Sequence, residues 1–77
     1  MKIELNDIQN FFQNPDLIKS EIICEEERDE IIEELNEMTN EISLYQFIQL
    51  VGDIVPEVTM DIVYYLAEFL DTGKVSI

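Results

Sequence analysis

Apolar residues recur every three or four positions along most of this chain, the period of an amphipathic helix, and turn residues interrupt the pattern at only a few places. Ile8, Phe11 and Phe12 form the first face. Asn6 is placed to cap it, Asp7 suits the positive end of the helix dipole, and Asn14-Pro15 ends it. Asn14, Pro15 and Asp16 then read as cap, first helical residue and first-turn acid of a second helix that buries Leu17, Ile18 and Ile22. No Gly or Pro separates this start from Met38, so a helix continuous over 15–38 and one broken near Ser20 to Cys24 both fit the pattern.

From Cys24 onward the spacing is clear: Cys24, Arg28, Ile31, Leu35, Met38 and Ile42 step by four and three, with Ile32 alongside. Ser43-x-x-Gln46 is a capping-box pattern, and it opens a third face of Leu44, Phe47, Ile48, Val51, Ile54 and Val55 that ends before Pro56. Gly52 inside that helix costs about 1 kcal/mol against alanine, which points to a close helix crossing. Thr59 is expected to cap a last helix with Ile62, Val63, Leu66, Phe69 and Leu70 inward, and Gly73 to supply its left-handed C-terminal position. The head Lys2-Ile3-Glu4-Leu5 and the tail Lys74-Val75-Ser76-Ile77 both alternate, which suits pairing as a small ribbon held by helix packing. The expected fold is all-α: one domain over residues 1–77, a bundle of four short helices, five if the 15–38 run breaks, with a two-stranded ribbon from the termini as a minor element.

Charge changes the picture. The 77 residues carry 18 Asp+Glu against 4 Lys+Arg and no His, a net charge of −14. A surface this negative is repelled by phosphate, so direct nucleic-acid binding is excluded, as is docking on an anionic membrane. Such a charge often accompanies disorder, but 47% of the residues are apolar and there are only 2 Gly and 2 Pro, so the chain is expected to fold. A lone cysteine, Cys24, forms no internal disulfide, and no apolar leader or span is visible. These features predict a cytoplasmic protein.

Catalytic chemistry is not supplied. Without His there is no Ser-His or Cys-His pair, and Cys24 is followed by Glu25, Glu26 and Glu27, which disfavour its thiolate. Glu30-x-x-Glu33 and Glu34-x-x-Glu37 lack the His of di-iron bundles. Asp71-Thr72-Gly73-Lys74-Val75-Ser76-Ile77 is similar to the middle of an EF-hand loop but has neither the acids before it nor the Glu that closes such a loop. Neither a metal nor a cofactor is expected, and the chain reads as no enzyme.

The acids are concentrated. Residues 21 to 41 hold ten of them against Arg28 alone, whereas Ile42 to Leu70 is dominated by aliphatic and aromatic residues. Glu26, Glu30, Glu33 and Glu37 fall on one helical stripe with Glu25, Asp29 and Glu34 beside it. At 1.5 Å rise per residue the stripe repeats about every 5 Å, near the few-ångström charge spacing of a nucleic-acid strand. Solubility of a small domain needs a net charge of only about 2–8. The excess therefore suggests phosphate mimicry toward a basic groove. In the apolar half, Tyr45, Leu50, Tyr64 and Tyr65 are left over once the inward faces are assigned, which predicts a homodimer or a hydrophobic anchor for a partner there.

Two stretches carry resemblances. Phe47-Ile48-Gln49-Leu50-Val51 and Thr59-Met60-Asp61-Ile62-Val63-Tyr64-Tyr65-Leu66 resemble parts of the second and last helices of acyl carrier proteins, although the Asp-Ser-Leu that bears the phosphopantetheine arm is missing. Phe47–Val51 and Asp61–Tyr65 also resemble, in order, two segments of colicin-type nuclease immunity proteins, and that likeness implies a small acidic inhibitor of a basic active site. The expected function is accordingly a non-enzymatic inhibitor of phage or mobile-element type. It would block the nucleic-acid groove of a nuclease or of a CRISPR or restriction effector, as anti-CRISPR, anti-restriction, antitoxin or immunity proteins do. The alternative is a carrier-like or scaffold protein that presents its acidic helix to several enzymes.

Overall fold

The computed structural model describes residues 2–76. Strand β1 (Lys2–Glu4) leads directly into α1 (Leu5–Gln13), which is followed by α2 (Pro15–Lys19), α3 (Glu25–Asn36), β2 (Glu41–Ser43), α4 (Leu44–Ile54), a 3-10 turn (Pro56–Val58) and α5 (Thr59–Thr72). The molecule is 72% helical, with five helices and one two-stranded antiparallel sheet among the described residues. Helices α1, α3, α4 and α5 close a ring in which α1 packs on α3 and α5, and α4 packs on the same two. The ring encloses fully buried Ile8, Phe11, Phe12, Leu17, Ile31, Leu35, Phe47, Val51 and Ile62. Phe11 meets Phe12 edge-on at 5.1 Å and Phe69 at 5.6 Å, and Phe12 meets Phe47 at 6.2 Å, so one aromatic group ties α1 to both α4 and α5.

The run over 15–38 is broken. Asn14 caps α2 through its side chain, which accepts from the Asp16 amide at 2.9 Å. The Ser20 hydroxyl then donates to the Leu17 carbonyl and accepts from the Ile22 amide, and Glu21 takes a left-handed φ of 63°. This turn drops Ile23 into the core and leaves Cys24 exposed as the N-cap of α3. Cys24 is therefore not part of the inward face.

Ile42, the last step of the same apolar series, is not helical either. The helix ends at Asn36, and Asn40, at φ 65°, then turns the chain so that Glu41–Ser43 meets β1 in the register Lys2↔Ser43, Ile3↔Ile42, Glu4↔Glu41. Ile3 and Ile42 are both buried, so the ribbon is anchored by an apolar cross-strand pair. The head of the chain thus pairs with its middle and not with the tail. Residues 74–76 form no strand, and Ile77 lies outside the described residues.

Four further expectations change. Because β1 runs straight into α1, Glu4 occupies the N-cap position and Asn6 lies inside the helix. Thr59 is the first residue of α5 and not its cap; its buried hydroxyl donates to the Val55 carbonyl at 3.1 Å. Leu70 faces solvent at 39% exposure. Gly52 crosses nothing closely, since a Cβ built there would meet only Thr59 Oγ1, at an ordinary 3.7 Å. Gly73 does close α5 in the left-handed region, at φ 77°.

Candidate functional site

An acidic segment folds into α3 because its first turn and its inner face are favourable where its outer face and C-terminal charges are not. Glu25, Glu26 and Glu27 occupy the first turn, where the dipole is positive, and the Glu27 carboxylate accepts from the Cys24 amide at 2.9 Å. Ile31 and Leu35 are fully buried against the ring. At the other end, Gln9 of α1 donates to the Asn36 side chain at 2.9 Å and ties the last turn down.

The outer face lies about 180° around the helix from Ile31 and Leu35. Glu26, Glu30, Glu33 and Glu37 are all exposed there, Glu37 as the C-cap residue, and Glu25, Asp29 and Glu34 are exposed on its flanks. Glu26/Glu30 and Glu33/Glu37 are like-charge pairs one turn apart, each costing about 0.2–0.5 kcal/mol of helix stability. Glu33, Glu34 and Glu37 also crowd the negative end of the dipole, and no basic residue occupies the last turn. Arg28 is the sole cation on the helix, and its Nη2 sits 3.0 Å from Asp29 Oδ1. The stripe is thus held against a local electrostatic cost by apolar packing beneath it.

Beside the stripe lies a groove of about 550 Å³ between α3 and α4. Half-buried Met38 and Ile54 and the more deeply set Leu50 form its floor, and exposed Glu30, Glu34 and Asp53 stand around it, with no Lys or Arg among the lining residues. Glu30 belongs to both stripe and groove. The residue missed from sequence is Asp53: it is an isolated acid in an apolar helix, and only the placement of α4 against α3 brings it to the groove that Glu30 and Glu34 also line. Leu50, read as left over, is instead the inner part of the groove floor and 91% removed from solvent, at 9% exposure.

The predicted aromatic surface divides. Tyr45 and Tyr64 are exposed, at 68% and 59%, whereas Tyr65 is half-buried and packs edge-on to Tyr64 at 5.5 Å. Tyr45 accepts a hydrogen bond at its hydroxyl from Gln49, 3.0 Å away, and Gln49 also lines the groove. Met60 is a further exposed apolar residue, at 66%. Among the described residues no three side chains capable of ligating a metal converge, and no helix is long and apolar enough to cross a membrane. Compared with models of known families, with curated proteins and with solved structures, the chain matches none.

Proposed function

We propose that this chain is a non-enzymatic, stoichiometric inhibitor that occupies the basic nucleic-acid groove of a nuclease or of another DNA- or RNA-handling protein, such as a CRISPR or restriction effector. It would do so in the manner of the small acidic proteins that phages and mobile elements encode. The observation that carries this reading is the exposed row of Glu26, Glu30, Glu33 and Glu37 on a single face of α3, kept there although it costs helix stability. A row of carboxylates on a rigid, packed helix presents charge at the spacing of a phosphate strand without paying to order a flexible chain. Complementary fields would speed association with the basic partner and make binding salt-sensitive. Exposed Tyr45, Met60 and Tyr64 would add apolar area to the complex, or to a homodimer through the C-terminal half.

The test is capture of partners on immobilised protein at low and at high salt, followed by challenge with a DNA duplex. A specific partner should be released by the duplex and should not be retained by a variant with all four stripe residues changed to Lys that circular dichroism shows to be folded. Retention by that variant would sink the mimicry reading.

A further inference from the structure

The groove between α3 and α4 constrains what can cover it. Its floor of Met38, Leu50 and Ile54 favours an apolar occupant, since covering it removes hydrocarbon from water. An apolar occupant alone would bring Glu30, Glu34 and Asp53 into drier surroundings with no counter-charge, which is unfavourable. A cation alone would leave the floor wet. The complement is an aliphatic side chain next to an Arg or Lys, whose stem lies on the floor while its head reaches the carboxylates. A second copy of this chain is disfavoured in that place, because two molecules of net charge −14 with 4 cations each would be brought together at their acidic sides.

A helix presents an aliphatic and a basic residue side by side at three- or four-residue spacing, and it packs across two helices as a ridge enters a groove. We infer that the α3/α4 groove docks a basic amphipathic helix of a partner protein, with an aliphatic residue on Met38, Leu50 and Ile54 and an Arg or Lys held by Glu30, Glu34 and Asp53. The Tyr45 ring, bonded through its hydroxyl to groove residue Gln49, stands one turn along α4 as a face on which a guanidinium can lie. The inference rests on the proposed function only in taking the partner to be basic.

The probe is a fluorescently labelled synthetic helix of about four turns with Leu and Arg on one face, compared with an isomer of the same composition in which Leu is spread around the helix. By anisotropy near physiological salt, the amphipathic peptide should bind the intact chain about tenfold more tightly than the isomer, the value of roughly one aliphatic side chain buried on the floor. Met38→Glu should remove the preference even though it makes the protein more negative. Glu34→Gln with Asp53→Asn should weaken the amphipathic peptide several-fold more than Glu26→Gln with Glu33→Gln does, for the same change in net charge. Amide NMR shifts should centre on Met38, Leu50 and Ile54.

Equal binding of the two peptides, or equal loss from the two charge pairs, would overturn the inference. Displacement of the peptide by equimolar spermidine would also overturn it, in favour of a polyamine site. If Met38→Glu does not fold by circular dichroism, the two charge pairs decide, since all four residues are exposed. If the Glu26/Glu33 pair leaves a captured nucleic-acid-handling partner bound while the Glu34/Asp53 pair releases it, phosphate mimicry falls and the groove stands.

Discussion

Beside Tyr64 stands the Glu68 carboxylate one turn on, a hydrogen-bond acceptor and a negative charge that together hold the phenol proton more tightly than in a free tyrosine. A raised pKa in the folded state means that this interaction contributes fully below the ordinary tyrosine value of about 10 and is lost as pH climbs through the higher folded value. Spectrophotometric titration should show a late-ionising phenol that disappears in Tyr64→Phe and moves to lower pH in Glu68→Gln. Ser43 has a different use for its hydroxyl. It accepts from the Gln46 amide at 3.1 Å while the Gln46 side chain accepts from the Ser43 amide at 2.8 Å, a reciprocal cap at the start of α4. Ser43→Ala is therefore expected to cost about 1 kcal/mol in chemical denaturation. Incubation with a promiscuous phosphopantetheinyl transferase should add no mass at Ser43; a mapped arm there would revive the carrier alternative.

At the scale of elements, the break between α2 and α3 depends on Glu21 in a conformation that L-residues enter at a cost of about 1–2 kcal/mol. Glu21→Gly should raise the denaturation midpoint, and a fall would show that the Glu21 side chain contributes more than its backbone costs. That break was only half visible in the sequence, because Ile22, Ile23 and Cys24 smear the apolar phase and neither left-handed position, Glu21 or Asn40, is a glycine. Where local chemistry decides the boundary, as at Asn14-Pro15, Ser43-x-x-Gln46 and Gly73, the expected and observed ends coincide. Where tertiary pairing decides it, they do not: Ile42 keeps the helical step in sequence but is claimed by Ile3 across the ribbon. The stripe on α3 was legible for the same reason as the caps, since its geometry is local to one helix. The groove was not, because Asp53 comes to line the same groove as Glu30 and Glu34 only through the packing of two helices.

For the whole molecule, a charge of −14 on 77 residues opposes folding by self-repulsion, and salt screens it over about 8 Å at physiological strength. Added salt should therefore raise Tm while it weakens the proposed partner binding, and parallel movement of the two would contradict the proposed division between a packing core and an electrostatic face. Glu33→Lys with Glu37→Lys replaces anions at the negative end of α3 by cations. It should gain about 1 kcal/mol, or about 4–8 °C in Tm for a domain of this size, while losing affinity for the proposed basic partner. The opposite extreme is Phe11→Ala, at the junction of α1 and α5. It should cost about 3–5 kcal/mol, much of what a domain with about 0.05–0.15 kcal/mol per residue possesses, and leave little folded protein at room temperature. The ribbon has a kinetic meaning as well. Lys2 pairs with Ser43, Phe12 packs on Phe47 and Phe11 packs on Phe69, so β1 and α1 gain their partners in stages, from α3 and β2 through α4 to α5. Each of these closures must precede the gain from the contacts it brings together, so the aromatic group should be completed only when α5 docks on α1.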